Sequence, residues 1–279
     1  MRIARIASGT YCAIRFLRTL LGGGIFFAFL LLTRRRVVKT MFSRRRTVGA
    51  LFAFGFALYA NQLCYAQTVQ ITNAGTATVL QMLASAFVML YVCVTLRRAP
   101  RIREAIGLLL ALLTALFIAT QGDIRTLDVP ADGLVWGLLT ALSTAVYIIV
   151  PKRCGLFERY GSMPVVGTGM LLGALFALPV YLLQGNTLVD AATVLAAFGG
   201  FEWFVFLGGL VVVGTICGYG LYLHGVAIVG SVKGSLLGAI EPVSVTVLAA
   251  LWLGTAFTGY DLAGLVLMCV MVAFVTSDE

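Results

Sequence analysis

Glu241 is the residue whose place in the sequence points most directly to chemistry. It lies inside a long apolar run and is followed by Pro242. A carboxylate in the hydrocarbon of a membrane is costly unless it is paired, hydrated or protonated. Glu241 is therefore predicted to exchange a proton or to contact a substrate. The alternative is a protonated structural residue, hydrogen-bonded beside the backbone carbonyl that Pro242 leaves without a donor.

Two titratable side chains come before Glu241 in the same part of the chain. Lys233 precedes it by eight residues. On a continuous helix the two side chains would share roughly one face, about 12 Å apart along the axis. Lys233 is predicted either to attract an anionic group or to extend its ammonium group to the membrane surface. His224 is the single histidine, and it is interpreted as a polar cap or as a proton relay.

Further polar side chains complete a candidate substrate site. Asn61 and Gln62 lie within one apolar run, where they need hydrogen-bond partners or a wet cavity. The predicted substrate or coupling residues are Glu241, Lys233, Tyr222, His224, Asn61, Gln62, Tyr65 and Gln81. No catalytic residue, metal site or cofactor is predicted, because the six cysteines lack metal-ligand spacing and are interpreted as free thiols.

The composition predicts a membrane protein. Of 279 residues, 61% are hydrophobic and 11% are charged, and the mean hydropathy is +1.02. A soluble domain of this length cannot bury so much apolar surface. The net charge of +9 does not indicate nucleic-acid binding, because the basic residues lie in short connectors. The predicted partners are the lipid bilayer and a small-molecule substrate, with no nucleic acid, and a homodimer is left open.

Nine apolar segments are long enough to cross a membrane as helices. They are residues 11–32, 47–67, 74–96, 105–121, 133–151, 163–183, 201–223, 228–253 and 259–276. Alternate connectors, at 34–46, 97–103 and 152–159, are basic and should face the cytoplasm. The chain is therefore predicted to be a multi-pass protein of the cytoplasmic membrane with its C-terminus in the cytoplasm.

Glycines four residues apart predict close helix packing within several of these segments. The residues that follow this spacing are Gly230, Gly234 and Gly238 in the eighth segment, Gly133, Gly137 and Ala141 in the fifth, Gly169 and Gly173 in the sixth, and Gly214 and Gly218 in the seventh. A smooth wall along a substrate path is compatible with the same pattern.

A faint internal repeat at an offset of about 157 residues divides the chain. It pairs Tyr65 with Tyr222, and Glu104 with Asp261. The first repeat is predicted over 1–122 with four helices and the second over 133–279 with five. Repeats with an odd number of spans face opposite ways, as in many secondary transporters. The first repeat is one helix short, which suggests a start site too far downstream or the loss of the first helix.

The run from Ser235 to Val243, SLLGAIEPV, carries a specific resemblance together with Leu253-Gly254 and Gly264. It resembles the second repeat of the EamA family in the drug/metabolite transporter superfamily. The resemblance implies an all-α polytopic fold of ten helices in two inverted repeats around a central cavity, here with nine helices. The chain departs from the family where an acidic residue often follows Leu253-Gly254, because Thr255 stands there.

These observations predict a secondary transporter for small organic metabolites, amino-acid-like or drug-like, that works by alternating access. Transport is either coupled to an ion gradient, with Glu241 as the candidate proton carrier, or facilitated without coupling. No G-x-x-x-x-G-K-[ST] motif for nucleotide binding is present. A non-transporting or degenerate paralogue, or a partner protein, is the alternative. An integral-membrane enzyme is disfavoured, because no nucleophile and base can be paired from the sequence.

Overall fold

The structure is a computed structural model that describes residues 2–123, 125, 129–185, 187–253 and 258–276. Within these residues every regular element is helical. The helices are α1 (Arg2–Phe42), α2 (Arg45–Ile71), α3 (Ala74–Leu96), α4 (Ile102–Thr120), α5 (Ala131–Arg153), α6 (Leu156–Tyr160), α7 (Ser162–Leu183), α8 (Leu188–Ala196), α9 (Gly200–Phe204), α10 (Gly218–Val229), α11 (Ser231–Leu237), α12 (Ile240–Leu253) and α13 (Gly259–Thr276). A π-helical stretch, Val205–Cys217, joins α9 to α10.

The described residues contain seven helices that are long and apolar enough to cross a membrane. The first is Cys12–Phe42 within α1, whose helical geometry is interrupted at Arg34. The others are α2, α3, α4, α5, α7 and the combined helix Gly200–Val229, and α13 supplies a shorter apolar helix, Gly259–Phe274. The predicted all-α membrane class is thus confirmed. The eighth predicted segment, 228–253, is not one helix, and this difference defines the candidate site below.

Local polar contacts explain where several helices begin. The Asn73 side chain accepts a hydrogen bond from the Thr76 amide at 2.8 Å, which caps α3. Thr187 and Asp190 cap α8 reciprocally. The hydrogen bond from the Thr187 amide also lowers the pKa of the exposed Asp190 carboxyl below its ordinary value. Such caps satisfy amides that have no partner within the helix.

The chain divides into two compact units, of which the first comprises Met1–Tyr59 and Val150–Ala227. Its centre is the packing of α7 against α1 and the start of α2. A Cβ atom at Gly169 would lie 2.2 Å from the Phe54 ring, and one at Gly173 would lie 3.2 Å from the Gly55 carbonyl oxygen. The close packing predicted for Gly169 and Gly173 is therefore confirmed.

Gly214 and Gly218, in the same unit, do not follow that prediction. A Cβ atom at either position would meet, among the described residues, only carbonyl oxygens of its own helix. The helix is π-helical up to Cys217, so its residues do not follow the 3.6-residue periodicity on which the prediction rested.

The second unit comprises Ala60–Ile149 and Ile228–Glu279. A Cβ atom at Gly137 of α5 would lie 2.3 Å from Leu80 of α3, so the predicted close approach is confirmed there. At the end of α4, Gln121 Nε2 donates to Asp261 Oδ1 at 2.6 Å. Asp261 in turn accepts from the Thr258 amide at 2.8 Å, which caps α13. This unit holds most of the predicted site residues.

Candidate functional site

The candidate site is built around a break between α11 and α12. The Gly238 amide donates to the Ser235 carbonyl at 3.2 Å, and the Ala239 amide donates to the Leu236 carbonyl at 3.0 Å. The Glu241 amide donates to the Gly238 carbonyl at 3.0 Å. Each of these hydrogen bonds joins residues three apart, whereas the backbone hydrogen bonds of an α-helix join residues four apart. The predicted continuous helix over 228–253 is therefore wrong.

Pro242 explains why the helix breaks at this place. In a continuous helix its amide would bond the Gly238 carbonyl, but proline has no N–H and its ring collides with that carbonyl. The Gly238 oxygen accepts from Glu241 instead. The sequence contained this signal, because Pro242 lies in the middle of the apolar segment.

The break places Glu241 in the first turn of α12. Its side chain is exposed. The N-terminus of a helix carries partial positive charge and unpaired amides, which favour a carboxylate or another anionic group nearby. Discontinuous helices of this kind form substrate and ion sites in many transporters.

The same break removes the basis for the predicted alignment of Lys233 with Glu241. Lys233 lies in α11 and is half-buried. The expected common face assumed one straight helix, whereas the two residues lie in different helices. Both alternatives for Lys233, attraction of an anion and extension to the membrane surface, stay predictions.

Tyr65 and Gln81 lie in the same compact unit as Glu241. The half-buried Tyr65 hydroxyl lies 3.3 Å from Thr78 Oγ1 of α3. Gln81, also half-buried, follows Thr78 on α3. One turn beyond Gln81, Ser85 Oγ donates to the Ser235 carbonyl at 3.0 Å and ties α3 to the end of α11. These two contacts link Tyr65 to α3, and α3 to the end of α11 that precedes the break.

Asn61 has a structural role in the same unit. Its side-chain nitrogen donates to Thr144 Oγ1 at 2.5 Å and to the Thr140 carbonyl at 3.5 Å, so it ties α2 to α5. The side chain is only 5% exposed. Of the two alternatives, hydrogen-bond partners or a wet cavity, the structure supplies partners. Gln62 beside it is half-buried and also has an interaction.

Comparison with known proteins decides the family. The sequence profile of the EamA-like transporter family matches residues 3–120 and 131–277. The chain belongs to this family. The protein named "Uncharacterized inner membrane transporter YicL" of Salmonella typhimurium is 30% identical over 263 residues, covering 94% of this chain and 84% of that protein.

A solved crystal structure supports the fold of this EamA-like transporter. It aligns with a TM-score of 0.75 at 16% identity and covers 98% of this chain and 91% of that chain. Family and relative together identify a membrane transporter, and the seven long apolar helices among the described residues make it multi-pass. The departure from the family pattern at Thr255, after Gly254, lies outside the described residues.

Tyr222 and His224 of this EamA-like transporter lie on α10, in the first unit. His224 Nδ1 is 2.7 Å from Ser162 Oγ at the start of α7. Near them Lys152 Nζ donates to the Ala227 carbonyl at 2.8 Å, a favourable contact at the end of a helix. These contacts suit the interpretation of His224 as a polar cap.

Ser162 and His224 form a pair that the sequence did not predict. A nucleophile-type side chain and a base do meet, although 62 residues separate them. Within the described part of the chain, no hydrogen bond from the other His224 nitrogen to a carboxylate is found, and such an orienting carboxylate is part of the usual hydrolytic arrangement. The same residues contain no group of three metal-ligating side chains.

The break itself can be tested with Pro242→Ala. Alanine restores the missing N–H and removes the ring collision, so α11 and α12 can join. We expect an unfolding temperature that is unchanged or higher, and uptake of a transported substrate at least about tenfold slower, because Glu241 loses its position at a helix start. Pro179→Ala is the matched control, since α7 continues through Pro179. Normal uptake by Pro242→Ala would show that the break has no role in transport.

Proposed function

We propose that this EamA-like transporter is a secondary transporter that moves small organic metabolites by alternating access. Amino-acid-like or drug-like molecules are the proposed substrates. The observation that carries the proposal is the broken segment in which Glu241 stands at the start of α12. A half-helix terminus inside a membrane supplies unpaired backbone groups to a substrate without an exposed irregular loop.

Proton coupling through Glu241 is part of the proposal. A carboxylate can take up and release a proton as its surroundings alternate between wet and dry, because desolvation disfavours its charged form. Each of the other acidic residues in the described ranges lies in a connector, in a short helix, or in the first turn of a long helix, where an apolar segment begins. Glu241 alone among them stands at a break within such a segment.

The predicted inverted repeat is kept as a proposal. It is supported by two residues that the offset pairs. Glu104 accepts a hydrogen bond from the Arg101 amide at 3.0 Å, and Asp261 accepts one from the Thr258 amide at 2.8 Å. Both residues therefore cap the start of their helices in the same way. With the basic connectors inside, the C-terminus is proposed to be cytoplasmic.

A substrate panel in proteoliposomes tests the proposed function. The full-length protein is reconstituted, and uptake of labelled amino acids and of neutral drug-like amines is measured with and without an imposed pH gradient. We expect saturable uptake of at least one class, and faster uptake when the gradient is imposed. Absence of uptake and of counterflow for the whole panel would contradict the proposal and favour a non-transporting paralogue.

A further inference from the structure

Arg18 is a cation within the membrane-spanning part of α1. It precedes the helix interruption at Arg34 by sixteen residues, which is about 24 Å along a helix. Arg34, Arg35 and Arg36 are exposed and suit a membrane surface. Because the hydrocarbon layer is about 30 Å thick, Arg18 lies within it. Arginine at such a depth needs a compensating group.

Thr215 of the π-helical stretch holds the Arg18 side chain in place. Arg18 Nε donates to Thr215 Oγ1 at 2.7 Å. The Thr215 hydroxyl donates in turn to the Leu210 carbonyl at 2.7 Å, five residues earlier. Its oxygen is therefore committed to accepting from Arg18. Thr215 is fully buried, so this contact sets the plane of the guanidinium group.

Within the described ranges, a hydrogen bond of the Arg18 guanidinium group is found only at Nε, so its two terminal nitrogens are available to a ligand. Among the described residues, no carboxylate lies within 4.0 Å of this guanidinium group, and the side chain is half-buried. A guanidinium group fixed through Nε presents parallel N–H groups that match two oxygens of a carboxylate or a phosphate. The charge, the fixed plane and the free donors all favour an oxyanion.

We propose that the terminal nitrogens of Arg18 bind an oxyanion, and that this oxyanion is the carboxylate of the transported metabolite. The proposal rests on the proposed function and narrows its substrate class to molecules with a carboxylate. A phosphate of an anionic lipid has the same chemistry and is the second source. Thr215 is a positioning residue, because it acts through Arg18.

Binding by the full-length protein in nanodiscs tests this site. The probes are amino acids with a free carboxylate, their α-amides, the simple carboxylates benzoate and succinate, and phosphatidylglycerol added to neutral lipid. The readouts are the dissociation constant and the shift in unfolding temperature that each probe produces. We expect a carboxylate to bind and its amide not to bind. Arg18→Gln should weaken carboxylate binding between about tenfold and a hundredfold.

Matched variants separate binding from folding. Thr215→Val keeps the charge of Arg18 but removes its positioning contact, so it should reduce the preference for carboxylate over amide. Arg36→Gln makes the same change at the exposed end of α1 and should leave binding unaltered. If only phosphatidylglycerol responds, and Arg18→Gln removes the response, the oxyanion site is supported with lipid as its source.

Two outcomes would overturn the site. One is a folded Arg18→Gln variant that binds every probe as the unaltered protein does, and the other is no binding of any probe by the unaltered protein. If either outcome is found and the unaltered protein still takes up substrate, the oxyanion site is wrong but the proposed transport function is supported. Binding that depends on Arg18 without any uptake leaves the oxyanion site standing and contradicts the transport function.

Discussion

Glu241→Gln should abolish accumulation driven by a pH gradient while leaving substrate exchange intact. Glutamine has nearly the same shape but cannot carry a proton. If one proton moves with each substrate molecule, a gradient of one pH unit supports about tenfold accumulation, because that unit is worth about 1.4 kcal/mol. In the variant the ratio of internal to external substrate should stay close to one. Labelled uptake and counterflow in the same proteoliposomes measure both quantities.

Glu202→Gln is the matched control for this experiment. Glu202 also lies in the first turn of a helix and is exposed, but it stands near the start of the combined span Gly200–Val229 and not at a break. We expect this variant to accumulate substrate normally. Undiminished accumulation in Glu241→Gln would show that coupling does not depend on this carboxylate.

Gly23→Ala should destabilise the packing of α1 against α7 in the first unit. A Cβ atom there would lie 2.7 Å from the carbonyl oxygen of Met170 and 2.9 Å from the Leu171 amide nitrogen. These are backbone atoms of α7, so no side-chain rotation can relieve the collision and α1 must move away. Overpacking typically costs about 1–3 kcal/mol, and the absence of a flexible partner favours the upper end. The unfolding temperature of the detergent-solubilised protein should fall by several degrees.

Gly24→Ala provides the opposite result from the neighbouring residue. A Cβ atom at Gly24 meets nothing within 4 Å, and alanine favours a helix over glycine by up to about 1 kcal/mol. This variant should be as stable as the unaltered protein, or slightly more stable. Equal unfolding temperatures for the two variants would mean that α1 and α7 do not approach as closely as described.

The resemblance to the EamA family, the apolar segments and the close contacts at Gly137, Gly169 and Gly173 follow from the sequence, because each depends on local composition or on short spacing. The close contacts at Gly23, Gly55 and Gly167 were not predicted. Pro242 indicated that the Gly238 carbonyl would lack its usual hydrogen-bond donor. The sequence did not show whether contacts with neighbouring helices would keep the segment straight. The Asn61 contacts with α5 and the Ser162–His224 pair were missed for another reason. Their partners lie 79 to 83 residues and 62 residues away in the sequence, and spacing along one helix carries no information about such pairs.

The amino-acid sequence by itself determined that this chain enters a membrane as helices and belongs among EamA-like transporters. The length of the apolar segments and the placement of charge between them indicate the membrane helices. The run from Ser235 to Val243 indicates the family. Only the tertiary structure decided which polar side chains form hydrogen bonds between helices and which lie at a helix break. Asn61 is an example of the first kind and Glu241 of the second. The physical reason is that a buried polar group must find a partner, and packing between helices selects that partner.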